Sequence, residues 1–207
     1  MKKLVLASSN PGKLREFEAL LALLGMEIVP QSSLLVAEAD EPHATFVENA
    51  LAKARHASRR TRLPALADDS GICVAALNGE PGVHSARFAG APPPGSTPGR
   101  DTQDARNNEK LVEMLADKDN RRAHYYCLIV LMRHADDPEP IIAEGSWAGE
   151  IVAEPRGANG FGYDPHFFLR DLGKTAAELD PEQKNLVSHR GKALRRLLAK
   201  LKEGVWP

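Results

Sequence analysis

Lys3-Leu4-Val5-Leu6-Ala7 runs into Ser8-Ser9-Asn10-Pro11-Gly12, and Lys13 then opens a stretch ending at Leu24-Gly25. The first five residues read as a short buried strand, and the next five are turn formers. From Lys13 the apolar period changes. Leu14, Phe17, Leu20, Leu21 and Leu24 fall on one helical face, and Gly25 stops the helix. Strand, polar turn and amphipathic helix make the opening of an α/β unit, and Met26 to Val29 predicts a second strand.

Outward from that unit the pattern continues. Thr45-Phe46-Val47-Glu48 matches a capping box, and Val47, Ala50, Leu51, Ala54 and Ala57 supply the apolar face of the helix behind it. Leu63 to Ala67 predicts a strand, Asp68-Asp69-Ser70-Gly71 a turn, and Ile72 to Leu77 a further extended run. Gly79 to Arg100, with Pro92-Pro93-Pro94, reads as loop. Asp104 to Leu115 predicts a helix, His124 to Arg133 a central strand, and Pro140 to Ser146 another strand. Gly157 to Asp164 is a glycine-rich loop before the strand Phe167 to Leu169. Asp180-Pro181 starts the closing helices, with an apolar stripe at Ala193, Leu194, Leu197, Leu198 and Leu201. Helices and strands alternate, then strands cluster, then helix returns. The fold expected is α/β, with a mixed central sheet flanked by helices in one domain over residues 1–207.

Charge and composition narrow the partners. Lysine plus arginine number 27 and aspartate plus glutamate 28, for a net charge of −1. That balance argues against a nucleic-acid partner, since phosphate neutralisation calls for a basic excess. The aromatic share of 5% predicts a core built mainly from aliphatic side chains. Cys73 and Cys127 each sit in an apolar run and read as buried free thiols. The apolar run at the start stops after Ala7, too short for a signal-peptide core, and no stretch has the length of a membrane span. The expectation is a cytoplasmic protein with no membrane partner.

Five segments carry candidate chemistry. Ser8 to Lys13 lies between strand and helix, where unpaired amides and the helix dipole suit a phosphate; by itself it reads more simply as a polar turn with a capping Asn. Asp68-Asp69 places two carboxylates side by side, an arrangement that a hard divalent cation relieves and that a plain Asp-rich turn also provides. Alternation along an extended strand lets only one of them face a given pocket. Glu38, Asp40 and Glu41 form an acidic stretch ahead of the helix that carries Lys53. The Gly157 to Pro165 loop brings backbone close to a flat ligand and offers Phe161 for stacking. Lys184 and His189 would lie about 140° apart on one continuous helix, so they converge only if the helix breaks near Ser188, a residue able to cap a second one.

In this order, Ala7-Ser8-Ser9-Asn10-Pro11-Gly12-Lys13, Thr45-Phe46-Val47-Glu48-Asn49-Ala50 with Lys53-Ala54, Ala67-Asp68-Asp69-Ser70-Gly71, Pro81-Gly82-Val83-His84-Ser85-Ala86-Arg87-Phe88, Gly160-Phe161-Gly162-Tyr163-Asp164-Pro165, Lys174-Thr175 and Ser188-His189-Arg190-Gly191 span nearly the whole chain. Together they resemble the noncanonical purine nucleoside triphosphate pyrophosphatases, also called inosine triphosphate pyrophosphatases. The resemblance implies two lobes enclosing a nucleotide cleft, a homodimer, and hydrolysis of ITP, dITP and XTP to the monophosphate and pyrophosphate with Mg2+. It implies triphosphate binding by Ser8, Ser9, Asn10, Pro11, Gly12 and Lys13, with Lys53 assisting. Asp69 would hold magnesium and accept the proton of the attacking water. Glu41 would be the second metal ligand, and Ser70 would contact substrate. Phe161, Gly162, Tyr163, Asp164, Lys184, His189 and Arg190 would form the base and sugar pocket. A related enzyme for pyrimidine or modified nucleotides and a non-catalytic nucleotide or RNA sensor are the competing readings, with the near-neutral charge and low aromatic content arguing against RNA.

Overall fold

The computed structural model describes residues 3–8, 10–21, 27–90 and 100–204. Its strands are β1 (Lys3–Leu6), β2 (Glu27–Pro30), β3 (Ala65–Val74), β4 (Arg122–Met132), β5 (Ile141–Ile151), β6 (Phe167–Leu169) and β7 (Lys174–Thr175). Its α-helices are α1 (Pro11–Leu21), α2 (Phe46–Thr61), α3 (Arg100–Met114), α4 (Pro181–Val187) and α5 (His189–Lys202). The strands join in one seven-stranded sheet, ordered β2-β1-β3-β4-β5-β6-β7. β1 pairs in parallel with β2 and β3, whereas β5–β6 and β6–β7 are antiparallel. The sheet is therefore mixed, and β4 is its central strand, with every residue from Cys127 to Met132 buried. The expected stop at Gly25, the Met26 start and the Pro-rich run lie outside the described residues.

The chain divides into two compact units, and β3, β4 and β5 each contribute residues to both. The first comprises residues 1–69, 127–146 and 188–207. Its core joins Leu4, Leu6 and Leu66 to Phe17 and Leu21 of α1, Ile129 and Leu131 of β4, and Leu194 and Leu197 of α5. This core is aliphatic apart from Phe17 and Cys127, as the composition predicts.

α5 also serves the sheet through its polar face. Lys192, Arg196 and Lys200 donate to the carbonyls of Ser146, Glu144 and Ile142 at 2.9, 2.9 and 2.7 Å. Four helical residues rise about 6 Å and two strand residues about 6.7 Å, so the two ladders stay in step. β6 pairs with Glu150 and Ile151, and these cations cover the backbone further back along β5. Gly145 is required beside α5, because a Cβ there would sit 2.1 Å from the His189 carbonyl.

The turn from β4 to β5 is fixed by Asp137. It accepts from Arg133 N at 2.8 Å, Arg133 Nε at 2.9 Å and Glu139 N at 3.0 Å, and a further Arg133 guanidinium N–H bonds its other oxygen. These bonds, the one from the Arg133 side chain foremost, hold the carboxyl well below the usual carboxylate range. A lowered folded pKa adds stability that is present above the unfolded value of about 3.9 and is lost as pH falls through the folded value. Asp137→Asn is thus expected to lower the unfolding midpoint at pH 7. The difference from wild type should shrink in acid, below about pH 4. A pH-independent difference in thermal unfolding would contradict the assignment.

The second unit, residues 70–126 and 147–187, keeps a mainly aliphatic core but gathers aromatic rings within it. Tyr125, Trp147, Tyr163 and Phe167 sit in its core with Ile72, Leu111 and Leu115. Phe167 packs edge-on to Tyr125 and Trp147, with centroids 4.7 and 5.4 Å away. The few aromatics are concentrated rather than absent.

Three local expectations are corrected. The extended run expected to reach Leu77 ends at Val74, and Ala75–Leu77 forms a 3-10 helix. Asp68 to Gly71 is no turn, since β3 runs through it unbroken. Gly71 serves close approach, because a Cβ there would meet the Gly82 carbonyl at 2.2 Å. Ser85 Oγ accepts from Ile72 N at 2.9 Å on the same side. Within the stretch expected to be loop, Gly82–Arg87 forms a 3-10 helix.

Candidate active site

In the first unit, α1 begins where Asn10 Oδ1 accepts from Gly12 N at 2.9 Å and Lys13 N at 3.3 Å. Ser8 Oγ accepts from Asn10 N at 3.3 Å, so the Ser8 to Lys13 turn is held by its own short side chains. Ser9 lies outside the described residues. Lys13 reaches Asp68 Oδ2 at 2.9 Å.

Asp68 and Asp69 are both buried, yet they serve different partners. Arg190 Nη2 approaches Asp68 Oδ2 at 3.3 Å, its Nη1 bonds Glu16, and the Cys127 thiol lies 3.9 Å from Asp68 Oδ2. Burial alone would raise the Asp68 pKa, but Lys13, Arg190 and Lys53 together pull it well below the usual range. Arg190 is 2% exposed, and it remains cationic because Glu16 and Asp68 outweigh its burial.

Asp69 receives Lys53 Nζ on Oδ1 at 3.0 Å and Asn49 Nδ2 on Oδ2 at 3.2 Å. The same Lys53 nitrogen reaches Glu41 Oε1 at 2.7 Å. Burial, aided by Glu41, raises the Asp69 pKa above the ordinary value against the pull of Lys53 and Lys13. Lys53 is shifted up as well: burial opposes its charge, and Asp69, Asp68 and Glu41 outweigh that. The strand alternation expected for the Asp pair is what the structure displays, one carboxylate toward Arg190 and the other toward Glu41.

α2 delivers Lys53 and Asn49 from one face, four residues apart. Thr45 caps this helix, accepting from Glu48 N at 3.4 Å, while its hydroxyl donates to Glu48 Oε2 at 2.5 Å. Asn49 is fully buried, and it also donates to the His43 carbonyl at 3.2 Å and accepts from His43 N at 3.1 Å. It therefore ties the acidic stretch before α2 to Asp69. Sequence reading gave Asn49 no role, although a polar residue among Ala50, Ala54 and Ala57 on the apolar face was the available signal.

In the second unit the glycine-rich loop folds back on Asp164. Asp164 Oδ2 accepts from Phe161 N at 3.0 Å and from Lys184 Nζ at 2.6 Å. Gly160 has φ +80°, and a Cβ there would lie 2.0 Å from the same oxygen. Lys184 Nζ stands 4.8 Å from the centre of the half-exposed Phe161 ring. Tyr163 OH donates to the Ser85 carbonyl at 2.8 Å. Ser70 follows Asp69 on β3 and is half-buried.

α4 carries Lys184, and the chain breaks at Ser188, whose Oγ accepts from Gly191 N at 3.1 Å and caps α5. The expected helix break is therefore present. Lys184 belongs to the second unit, and the buried pair His189 and Arg190 belongs to the first.

Among the described residues no group of three or more His, Cys, Asp or Glu could by itself hold a metal. Glu41 and Asp69 form a two-carboxylate set sharing one ammonium. Magnesium takes one or two protein carboxylates and draws further oxygens from water and substrate phosphates, so the set fits a metal that arrives with a polyphosphate.

The fold and site define a class, an α/β protein that buries a polarised cluster of carboxylates with lysine and arginine cations. Comparison with known proteins narrows that class. A family model described as the Ham1 family matches residues 4–200, and the chain belongs to this family. A dITP/XTP pyrophosphatase of Burkholderia pseudomallei is 66% identical over 97% of this chain and 94% of its own length. One of Nitrosomonas europaea is 65% identical over 98% of this chain and 96% of its own. A solved HAM1 protein from Coxiella burnetii superposes with a TM-score of 0.87 at 49% identity, covering 98% of this chain and 100% of that one. No described helix is long and apolar enough to cross a membrane.

Proposed function

We propose that this protein hydrolyses the noncanonical purine nucleoside triphosphates ITP, dITP and XTP to the monophosphate and pyrophosphate, clearing them from the nucleotide pool. The observation that carries the reading is Asp69. It is a buried carboxylate of raised pKa, hydrogen-bonded to Lys53 and Asn49 and linked through Lys53 to Glu41. The names of the relatives, at 61–66% identity, point to the same reaction.

Asp69 is the proton acceptor for the attacking water. The water oxygen bonds to the α-phosphorus as the bond to the bridging oxygen breaks, pyrophosphate leaves, and the proton passes to Asp69 Oδ. Mg2+, held by Asp69 and Glu41, would neutralise phosphate charge and polarise the reacting oxygens. Lys13, Lys53 and the Ser8, Ser9, Asn10, Pro11 and Gly12 turn at the start of α1 take the triphosphate, where the positive end of the helix dipole favours phosphate. Phe161 stacks on the base. Lys184, a donor with no acceptor, matches the keto oxygen at C6 of hypoxanthine or xanthine and mismatches the amine of adenine. Gly162, Tyr163 and Asp164 shape that pocket, and Ser70 and His189 contact substrate.

Arg190 takes a positioning role in this proposal. Its buried guanidinium donates to Glu16 and Asp68, and Asp68 in turn holds Lys13. A net charge of −1 accords with a small-anion substrate and no nucleic-acid partner. A cytoplasmic homodimer completes the proposal. Hydrolysis of ITP in isotopically labelled water tests the bond broken. Label in IMP is expected, and label in pyrophosphate or orthophosphate would contradict attack at the α-phosphorus.

A further inference from the structure

We propose that Asp104 and Asn108 of α3 are positioning residues that fix the Phe161 ring and thereby set affinity for the nucleobase. The inference rests on the base-stacking role given above to Phe161. It arises from how the loop is tied. Gly160 and Gly162 flank Phe161 with φ of +80° and +65°, conformations that other residues rarely adopt. Such a segment has wide backbone freedom and holds a ring in one place only if it is clamped from outside.

One clamp is Asp164, which accepts from Phe161 N. The other comes from α3. Gly162 N donates to Asp104 Oδ2 at 2.8 Å, and Asn108 Nδ2 donates to the Gly162 carbonyl at 2.9 Å. Residues 104 and 108 are one turn apart and share a helix face, so a single stretch of α3 grips both polar groups of one glycine. Asn108 is 8% exposed and precedes Leu111 and Leu115, whose burial roots this face of α3 in the core of the unit. Both bonds fall on Gly162, the residue after Phe161, so their effect passes through the ring. Asn107 next door serves another segment, donating to the Ser85 and Ala86 carbonyls.

The test uses steady-state pyrophosphate release from ITP by the full chain, with inhibition by inorganic tripolyphosphate as a base-free probe. Asp104→Ala and Asn108→Ala are each expected to raise KM for ITP by about 3- to 10-fold, the loss of one net hydrogen bond, with kcat less affected. Tripolyphosphate inhibition should stay within about twofold of wild type, because no phosphate contact changes. Asp104→Asn retains an acceptor and should recover most of the loss. Asn108→Asp, nearly isosteric, replaces the donor with an acceptor and should raise KM even if the alanine variants fold poorly. An unchanged KM in Asn108→Asp, or tripolyphosphate inhibition weakening in parallel with KM, would overturn the inference. Phe161→Ala separates the two layers. If it raises KM and the α3 variants do not, only this inference fails; if it leaves KM unchanged, the base-stacking role fails first.

Discussion

Asp69→Asn should abolish pyrophosphate release from ITP and leave the fold at least as stable as wild type at pH 7. The activity loss follows from removing the proton acceptor and one of two carboxylates of the proposed metal pair. General-base catalysis alone contributes about 10²- to 10⁴-fold, so a fall of about 10³-fold or more is expected. The stability half follows from the raised pKa of Asp69, caused first by its burial and also by Glu41. With the folded pKa above the unfolded value of about 3.9, folding favours the protonated form, and stability falls as pH rises through that window. A neutral amide removes this cost and keeps an oxygen for Lys53 or Asn49, while Glu41 still pairs with Lys53. Assay and thermal unfolding of the same preparation check both halves. Near wild-type turnover would remove Asp69 from the mechanism. A large drop in the unfolding midpoint would show that its role is structural.

Arg190→Ala should act in the opposite manner, on the fold first. Arg190 bonds Glu16 and Asp68 from a fully buried position. Deleting one member of a buried charge network leaves the remaining charges uncompensated, at a cost of about 3–5 kcal/mol. For a chain of this size that corresponds to a fall of about 10 °C in unfolding midpoint. Arg190→Lys should recover little, since a single ammonium cannot fork to two carboxylates as a guanidinium does. Differential scanning calorimetry decides. A variant that melts like wild type and shows only a raised KM for ITP would return Arg190 to the base contact that the family resemblance implies.

The legible parts of the site were those governed by local chemistry. The cap at Asn10, the start of α2 at Thr45 and the break at Ser188 follow from neighbouring residues, and each stands where its side chain closes a bond to a nearby amide. The strand through Asp68-Asp69-Ser70-Gly71 has the composition of a turn, so local chemistry alone predicts a turn there. Its setting comes from elsewhere in the chain: β3 lies between β1 and β4 in the sheet, and Lys13, Lys53 and Arg190 neutralise its buried carboxylates. Asn49 escaped notice for a related reason, since a buried amide on a helix face gains a role only when Asp69 and His43 are known to meet it. The ring cluster within the mainly aliphatic core of the second unit is hidden by an average, as a share of 5% says nothing of whether the rings lie together.

The reading of Lys184 and Arg190 changed for a reason of charge rather than fold. Both are buried cations, and burial on that scale demands a fixed anion. Lys184 has Asp164 and remains beside the Phe161 ring, whereas Arg190 has Glu16 and Asp68.

The most direct measurement is pyrophosphate release by the wild-type chain across ITP, dITP, XTP, GTP, ATP and pyrimidine triphosphates, with and without Mg2+. Turnover of ITP, dITP and XTP that requires the divalent ion and exceeds turnover of ATP by at least about tenfold is expected from the mismatch between a donor and the adenine amine. Equal rates on ITP and ATP, or tight ITP binding without any release of pyrophosphate, would contradict it.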